Sequence, residues 1–453
     1  MNLHEQLSDR AACGQPVRVG LIGAGKFATM YVAQALHTNG VQLVGVADLT
    51  LQRARAALNR ARWPAALIRE ATTSDQINDA AAHGQIAICE DAMAVIGADL
   101  DVIVECTGVP EVAVVHSLDA MDAGHHLVMV SVEADALLGP LLQRRAQRAG
   151  VVTSMAWGDQ PAIACAMVDW ARTCGFQVVA AGKGTKYLPH YHHVTPETVF
   201  EHYGFSREQV AQGDFNATMF TSFLDGSKSA IEMAAVSNAT GLIPQDEGLH
   251  FPPAGIDDLP EVLKPEADGG ILTRTGTVEV VSSVHRDGSA VQGDLRWGVY
   301  ITITSRQPYV AGCFAEYGMQ TDRSGRFTAM YRPYHLVGLE LGWTVAAVAL
   351  NRQATGTARQ FIADVGAAAK QDLPAGRVLD GEGGMCVYGK LLPATTSLAG
   401  NVLPLGLAAG ARVLEPIGRD KILRYDQVEL DRPERQLVML RRELEQEART
   451  QAS

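Results

Sequence analysis

The stretch VRVGLIGAGKFATMYVAQAL, residues 17–36, decides the fold of the N-terminal part of this chain of 453 residues. It combines an apolar run typical of a buried strand, a glycine-rich turn of the form G-x-G-x-x-A, and a helical segment. Gly23 permits the tight turn, Gly25 lets a pyrophosphate approach the backbone, and Ala28 allows the helix to pack closely on the strand. The pattern therefore predicts a strand–turn–helix unit that binds a dinucleotide.

The residues that follow the turn bear on which dinucleotide is bound. The first helical turn, with Lys26 and Phe27, offers open N–H groups to the negative phosphates. A second apolar run, VQLVGVAD, ends in Asp48, about 20 residues beyond the glycines, where a carboxylate meets a ribose hydroxyl. Asp48 favours the unphosphorylated ribose of NAD. Arg53 and Arg55 could accommodate the extra phosphate of NADP, or they could lie on the exposed face of the next helix.

Apolar runs continue to alternate with helical stretches up to residue 160. The runs are QIAICED, LDVIVECTG, HLVMVSVE and GVVTSMAWGDQP. They predict a Rossmann-type, doubly wound parallel sheet over residues 17–160. Ligands bind at the carboxyl ends of such strands, so Cys106, Thr107 and Gly108, at the end of one run, are expected beside the nicotinamide. Glu105 either joins them or points to solvent.

Composition and charge limit the class of protein. The chain is 47% apolar and 19% charged, as in globular proteins, and its net charge of −12 disfavours nucleic acid as a partner. It has neither the about 18 unbroken apolar residues of a membrane span nor, at its N-terminus, the apolar core of a signal peptide. The seven scattered cysteines include no C-x-x-C pair and fit free thiols. We therefore expect a cytoplasmic protein with a small-molecule substrate and no membrane partner.

Residues 161–345 are expected to form an α+β substrate domain. Within FQVVAAGKGTKYLPHYHH, a strand-like run leads to Lys183 and Lys186 in a glycine-containing turn. The two point charges could hold a phosphate or a carboxylate, or both could be exposed loop residues. Three histidines follow, but no carboxylate or thiolate is spaced to complete a site around them, so no metal is predicted.

The segment FLDGSKSAIEMAAVSNATGL is predicted to be helical from Ser227 to a stop at Gly241. Asp225, Lys228 and Glu232 follow the three- and four-residue spacing of one helix side. Hydride transfer needs a group that moves the hydroxyl proton and a cation at the developing alkoxide, and these side chains supply both. The same spacing is also common in solvent-exposed ion-pair stripes.

Further candidates lie along the same domain. Asn238 projects from a different side of the predicted helix and is a candidate for substrate binding. In YRPYHLVGLELGWTVAAVAL, Arg332 stands before an apolar helix, a position that suits anion or carbonyl contacts. His335 could act as a general acid or base, or the segment could have a structural role at a domain junction.

Residues 346–453 are predicted to hold a connecting helix, a small β-rich C-terminal module and a terminal helix. Glycines and prolines separate short β-like runs after residue 368. In the terminal segment RQLVMLRRELEQEART, Leu437, Leu440 and Leu444 have helical spacing. This helix serves either packing or association, and we expect a homo-oligomer.

The order of the segments resembles that of the homoserine-dehydrogenase-like oxidoreductases. The resemblance is carried by GLIGAGKFATMYVAQ, DVIVECTG, HLVMVSVEADALLGPLL, SMAWGDQP and FLDGSKSAIEMAAVSNATGL. The C-terminal GRVLDGEGGMCVYGKLLPA and LPLGLAAGARV are similar to the SAF-type module that ends one branch of this group. That branch includes 1-deoxy-D-xylulose 5-phosphate reductoisomerase-like enzymes, which depend on NADPH. The resemblance therefore implies a slight preference for NADP over NAD.

The resemblance implies an NAD(P)-dependent oxidoreductase acting on a small, hydroxylated, anionic metabolite. Lys228 would stabilise the alkoxide and transfer its proton, and Asp225 or Glu232 would adjust the acidity of Lys228. Lys183 or Lys186 would hold the anionic group of the substrate. The narrower expectation is a reductoisomerase that converts a sugar phosphate. A polyol, sugar-acid or homoserine dehydrogenase is one alternative, and a regulatory protein that senses a dinucleotide without turnover is another. The density of polar residues in the middle of the chain favours an enzyme.

Overall fold

The structure is a computed structural model that describes residues 2–212 and 215–452. The chain divides into two compact units. Unit 1 comprises Met1–Ile163 and Leu336–Arg359, and unit 2 comprises Ala164–His335 and Gln360–Ser453. Among the described residues, no helix combines the length and the apolar character that crossing a membrane requires.

The helices alternate with strands in the first part of the chain and become less regular after it. Over residues 2–212 and 215–452 they are α1 (Leu3–Ala12), α2 (Lys26–Ala35), α3 (Leu51–Arg60), α4 (Ser74–Ala82), α5 (Ala92–Ile96), α6 (Pro110–Asp122), α7 (Val132–Arg148), α8 (Gln160–Thr173), α9 (Val199–Tyr203), α10 (Arg207–Gln212), α11 (Ala217–Leu224), α12 (Ser227–Thr240), α13 (Leu259–Val262), α14 (Pro308–Glu316), α15 (Gly342–Asn351), α16 (Ala394–Ala399) and α17 (Gln436–Ala452).

Unit 1 is built around a parallel sheet. Its strands are β1 (Val17–Ile22), β2 (Val41–Ala47), β3 (Ile68–Glu70), β4 (Ile86–Cys89), β5 (Val102–Glu105), β6 (His126–Met129) and β7 (Thr153–Met155). They lie in the order β3-β4-β2-β1-β5-β6-β7, and each paired strand runs parallel to its neighbour. The strand order reverses direction between β1 and β5, which is where ligands bind in such sheets. The predicted Rossmann-type fold is confirmed.

The strands of unit 1 are apolar because helices cover both faces of the sheet. Val19, Leu21, Val46, Val102 and Val104 have no exposed surface and belong to one core cluster. Parallel strands that are buried on both faces show such continuous apolar runs instead of an alternating pattern. The core therefore fixes the sheet, and the loops at its carboxyl edge remain available for function.

Unit 2 contains a mixed sheet and smaller antiparallel sheets. Its strands are β8 (Gln177–Thr185), β9 (Thr277–Ser282), β10 (Val299–Thr304), β11 (Phe327–Arg332), β12 (Ala363–Ala369), β13 (Val387–Pro393), β14 (Arg412–Val413) and β15 (Val428–Glu429). The mixed sheet has the order β11-β10-β8-β9, with β10 antiparallel to both β8 and β11. β12 pairs with β13, and β14 pairs with β15. The predicted α+β central part and β-rich C-terminal part are confirmed.

Helix α12 is the central element of unit 2. It contacts β8 and β9 of the mixed sheet, and it also contacts β12 and β13. Gly389 of β13 donates its N–H to Ser227 Oγ at 2.8 Å, and a Cβ on this glycine would lie 3.2 Å from Ser227 Cα. At the other end, Asn238 Oδ1 accepts the N–H groups of Ile362 and Ala363 at 2.8 and 2.9 Å. The C-terminal strands are thus part of the same packed body as α12.

The terminal helix α17 is fastened to unit 2 by a buried arginine. Arg441 Nη2 lies 2.6 Å from Asp364 Oδ2, and its Nε lies 2.8 Å from Glu445 Oε1. Its apolar positions Leu437, Leu440 and Leu444 are buried within the unit. These leucines therefore serve packing inside the chain, and the homo-oligomer stays a prediction.

Candidate active site

The turn after β1 has the geometry that a dinucleotide site requires. Gly23 has a φ of 98°, and a Cβ there would lie 2.8 Å from the carbonyl oxygen of Cys106. At Gly25, by contrast, a Cβ would meet no heavy atom within 4 Å among the described residues. No described side chain caps the start of α2, so its first N–H groups remain for a ligand. Around this turn Lys26 is exposed, Phe27 is half-buried, and Ala28 is buried against the sheet.

Asp48 is held against the glycine turn. Ala24 donates its N–H to Asp48 Oδ2 at 2.7 Å, and the aspartate side chain is only 6% exposed. Its Oδ1 lies 3.3 Å from Arg53 Nε but accepts no aligned hydrogen bond from the described residues. Arg55 instead pairs with Glu70 at 2.5 Å. One carboxylate oxygen is therefore fixed at the turn, and the other is buried beside Arg53.

A buried glutamate organises the loops after β5 and β6. Glu105 Oε1 accepts from Thr107 Oγ1 at 2.5 Å, and its Oε2 accepts from Ser131 Oγ at 2.5 Å. Gly108 donates its N–H to Ser131 Oγ at 2.9 Å. Glu105 has no exposed surface, so the alternative that it points to solvent is wrong. The carboxylate fixes the loop that was expected beside the nicotinamide.

Cys106 lies between the glycine turn and this network. Its Sγ donates to the carbonyl oxygens of Ile22 and Gly23 at 3.1 and 3.2 Å. Burial, followed by the charges of Glu105 and Asp48, raises the pKa of the Cys106 thiol well above its usual value. Because the thiolate is the nucleophilic form, the raised pKa disfavours Cys106 as a nucleophile.

One edge of the mixed sheet of unit 2 collects basic side chains. β8 and β11 end at this edge, and β10 begins there because it runs antiparallel to both. Lys183 lies near the end of β8 and Lys186 just after it, whereas Arg296 precedes β10, Arg332 ends β11 and His335 follows it. We call these five residues the basic edge.

The alternation G-K-G explains where Lys183 points. A Cβ at Gly182 or Gly184 would lie 1.7 or 1.9 Å from a backbone carbonyl oxygen, so that face of β8 is filled by neighbouring chain. Side chains alternate along a strand, so Lys183 points to the opposite face. There its Nζ pairs with Glu232 Oε2 of α12, and the two side chains are 8% and 5% exposed. The structure thus joins two residues that the sequence placed in separate motifs.

Arg332 faces the same side of the sheet as Lys183. Lys183 pairs with Val299 in register, and Val299 pairs with Arg332. Directly opposed residues share a face, so the two basic residues are two strands apart, or roughly 10 Å between backbones. The Arg332 guanidinium lies 4.6 Å from the centre of the Tyr334 ring.

His335 is oriented by a backbone carbonyl. Its Nδ1 lies 2.7 Å from the carbonyl oxygen of Trp297 and donates to it. In the neutral imidazole the other ring nitrogen, Nε2, is then an acceptor. This places a proton acceptor at the basic edge.

Asp225 and Lys228 differ in their surroundings. Asp225 has no exposed surface, and Lys370 Nζ lies 2.7 Å from its Oδ2 as an ion pair without an aligned hydrogen bond. Its Oδ1 accepts the N–H of Ser227 at 2.8 Å. Burial raises the pKa of Asp225, and Lys370 opposes that rise. Lys228 is half-buried on α12, one helical turn before Glu232.

Two other predicted residues bond to backbone groups. Asn238 uses its side chain on the backbone of residues 362 and 363, including an Nδ2 bond of 3.2 Å to the Ala363 carbonyl oxygen. Lys186 Nζ donates to the carbonyl oxygen of His202 at 2.6 Å.

The three clustered histidines have separate partners. His190 packs edge-on against Tyr191, with ring centres 4.7 Å apart. His192 donates from Nδ1 to the Asp225 carbonyl oxygen at 2.7 Å, and His193 Nε2 lies 2.7 Å from an Asp420 carboxylate oxygen. Among the described residues, no group of three or more His, Cys, Asp or Glu side chains is arranged to hold a metal ion.

Two protein families match the chain in succession. The homoserine dehydrogenase NAD-binding domain matches residues 19–153, and the catalytic domain of oxidoreductase DRL matches residues 158–341. The chain contains an NAD-binding domain and an oxidoreductase catalytic domain. The predicted class of enzyme and the predicted NAD(P) cofactor are thereby confirmed, whereas the SAF-type module stays a prediction.

Solved structures with distant similarity cover parts of the chain. The WlbA dehydrogenase of Bordetella pertussis, in complex with NADH and UDP-GlcNAcA, shares 17% identity over 39% of this chain and 49% of its own, with a TM-score of 0.26. The 1-deoxy-D-xylulose 5-phosphate reductoisomerase of Zymomonas mobilis, in complex with NADPH, shares 14% identity over 49% of this chain and 58% of its own, with a TM-score of 0.32. A "probable dehydrogenase" of Thermotoga maritima shares 14% identity over 76% of this chain and 91% of its own, with a TM-score of 0.37. The chain thus spans about half the length of the first two, and no curated protein matches its sequence.

Proposed function

We propose that this protein transfers a hydride between NAD(P) and a carbonyl or alcohol carbon of a small, hydroxylated, anionic metabolite. The observation that carries the proposal is the buried pair of Lys183 and Glu232, which lies within the stretch that matches an oxidoreductase catalytic domain. Reduction of a carbonyl needs a proton donor and a cation near the developing alkoxide. An ammonium group in contact with a carboxylate supplies both.

Each unit contributes a different part of the chemistry. When bound, the cofactor supplies or accepts the hydride. In unit 1 the turn at Gly23 and Gly25 would hold its pyrophosphate, and the network around Glu105 would fix the loop expected at the nicotinamide. In unit 2, Lys183 would donate to the substrate oxygen while Glu232 holds its ammonium group in position.

Lys228 remains a second candidate for the alkoxide. It lies four residues before Glu232 on α12, which is the spacing of neighbours on one side of a helix. Asp225 would act as a positioning residue, because its carboxylate joins the start of α12 to Lys370. Arg332, on the same sheet face as Lys183, would bind an anionic group of the substrate.

The position of Asp48 supports NAD over NADP. Its carboxylate is fixed at the glycine turn and would repel the extra phosphate of NADP. Arg53 lies beside that carboxylate, and Arg55 is paired with Glu70. This geometry opposes the slight preference for NADP that the family resemblance implied.

The narrower form of the proposal is a reductoisomerase acting on a sugar phosphate such as 1-deoxy-D-xylulose 5-phosphate. A polyol, sugar-acid or homoserine dehydrogenase would use the same acid–base pair without rearranging the carbon skeleton. The test is incubation of the full chain with NADH or NADPH and a panel of sugar phosphates, polyols and hydroxy acids. Oxidation or reduction of the cofactor supports the proposal, and NMR of the product skeleton separates the two forms. A cofactor that binds but is never turned over would instead support a sensor.

A further inference from the structure

A buried histidine of unit 1 faces the glutamate at the end of β5. His116, on the second turn of α6, is 8% exposed, and its Nδ1 lies 3.6 Å from Glu105 Oε1. This separation is too long for a hydrogen bond, and Nδ1 is buried without a partner among the described residues. Within residues 2–212 and 215–452, His116 is the one basic side chain at ion-pair distance from Glu105. The countercharge of a fully buried carboxylate thus depends on the protonation of one histidine.

Glu105 lies at the point of the parallel sheet where a dinucleotide binds. It ends β5, which pairs with β1, and its two oxygens accept from the hydroxyls of Thr107 and Ser131, as a carboxylate does. Thr107 and Gly108 are the residues expected beside the nicotinamide. That ring carries one positive charge in the oxidised cofactor and none in the reduced cofactor. A buried carboxylate near the ring therefore favours the oxidised form, because charges are weakly screened inside a protein.

The charge of the ring bears on whether His116 holds a proton. Beside an oxidised ring Glu105 already has a countercharge, so a second positive charge on His116 is disfavoured. Beside a reduced ring that countercharge is missing, and a protonated His116 can supply it across the 3.6 Å separation. Histidine is the side chain whose charge ordinarily changes near neutral pH. Because the imidazole keeps 8% of its surface exposed, it can exchange this proton with solvent.

We propose that Glu105 and His116 form a proton-linked pair that distinguishes the oxidised from the reduced cofactor. His116 takes up a proton from solvent when the reduced cofactor binds and stays neutral when the oxidised cofactor binds. The inference rests on the NAD-binding domain and on the expected place of the nicotinamide, and it does not depend on the substrate. Proton binding and cofactor binding are reciprocally linked, so a lower pH should favour the reduced cofactor over the oxidised one.

Other titratable groups lie on α6 and on the elements that contact it, which are α5, α7, β5 and β6. Helix α5 carries none. Apart from the charged residues in the last turns of α6 and α7, the groups on or next to these elements are Cys106, Glu111, Asp119, His126, Glu133 and Asp135. Burial raises the pKa of Asp135 to about 7, so this carboxyl group competes with His116 as the site of a proton taken up near neutral pH.

The test is calorimetric titration of the full chain with the oxidised and the reduced cofactor, in buffers that differ in their heat of ionisation. This comparison counts the protons taken up on binding, and the groups that both cofactor forms share cancel in the difference. At about pH 7 the reduced cofactor should bind with more proton uptake than the oxidised one. The ratio of the dissociation constants, oxidised over reduced, should rise at least about fivefold from about pH 8 to about pH 6.

His116→Gln should abolish both differences. His83→Gln is the matched control and should keep them. His83 Nδ1 also lies 3.6 Å from a carboxylate oxygen, that of Asp79, but the pair is exposed and precedes β4 at the opposite edge of the sheet. Equal proton uptake with both cofactors in wild type, or differences that persist in folded His116→Gln, would overturn the inference. Loss of the differences in Asp135→Asn alone would assign the proton to Asp135 and also overturn it.

Glu105→Gln separates the charge of this side chain from its support of the loop. Without the carboxylate charge, the affinity for the oxidised cofactor should fall at least about fivefold more than the affinity for the reduced one. Equal losses in folded Glu105→Gln would mean that Glu105 only holds the loop, and the inference fails. None of these measurements requires a substrate, so the proposed hydride transfer to a metabolite is judged separately by the substrate panel.

Discussion

Lys183 and Glu232 form a buried ion pair although they are 49 positions apart in the sequence. The pair joins strand β8 to the central helix α12, in the stretch that matches an oxidoreductase catalytic domain. If it handles the substrate proton, Glu232→Gln should lower turnover on the order of a hundredfold, the scale of a lost acid–base group. The affinity for NADH or NADPH should stay unchanged, because the cofactor residues lie in unit 1. Turnover per folded molecule and cofactor titration check both parts.

A second buried pair in unit 2 provides the control for Glu232→Gln. Lys264 Nζ lies 3.0 Å from Asp322 Oδ2, and both side chains are under 5% exposed. Breaking a buried pair costs about 3 to 5 kcal/mol of stability, so Asp322→Asn should lower the melting temperature. It should leave turnover per folded molecule near the wild-type value. Equal losses of turnover in Asp322→Asn and Glu232→Gln would mean that the Lys183–Glu232 pair is only structural.

Lys228 gives an independent test of the same helix. If it stabilises the alkoxide, Lys228→Ala should reduce turnover on the order of a hundredfold without changing cofactor affinity. Near-normal turnover in Lys228→Ala, beside a large loss in Lys183→Met, would assign the proton to Lys183 alone. Near-normal turnover in both variants would move the search to His335.

The local parts of the fold could be predicted because they depend on neighbours in sequence. The glycine turn and the start and stop of α12 at Ser227 and Gly241 follow from residue types alone, and Gly241 indeed ends the helix with a φ of 75°. The open question about the charged side of α12 could not be answered in this way. Helix α12 contacts β8, β9, β12 and β13, and Asp225 and Glu232 are only 0% and 3% exposed. The solvent-exposed stripe is therefore the wrong alternative.

The partners of the site residues could not be predicted because they come from distant strands. Lys183 contacts Glu232 only when β8 packs on α12. Asp225 pairs with Lys370 only when the end of β12 packs beside the start of α12. Arg296 was missed because a basic residue before a strand is common in loops. Its one available signal was the sequence DLRWGVY, in which an arginine and a tryptophan adjoin a β-run.

The buried His192 predicts how stability depends on pH. Burial lowers its pKa to about 4, while its bond to the Asp225 carbonyl oxygen opposes that shift. The unfolded chain, with an ordinary histidine pKa of about 6.5, binds the proton first as pH falls. The contribution of His192 to the free energy of unfolding should therefore be constant above about pH 6.5 and should fall as pH drops from there to about 4. Denaturant unfolding of wild type and His192→Gln checks this, and a pH slope that is the same in both would contradict it.

Asp48 predicts the choice of cofactor. Its Oδ2 accepts the Ala24 N–H, and we expect its Oδ1, which is buried beside Arg53, to accept from a ribose hydroxyl when the dinucleotide binds. Asp48→Ala removes that acceptor and the charge that repels the phosphate of NADP. The affinity for NADH should therefore fall roughly tenfold, the size of a lost hydrogen bond to a charged group. The affinity for NADPH should stay the same or rise. Fluorescence titration with each cofactor measures both, and Arg55→Ala, which breaks only the pair with Glu70, should change neither. Equal losses for NADH and NADPH in Asp48→Ala would show that this carboxylate supports the turn and does not meet the ribose.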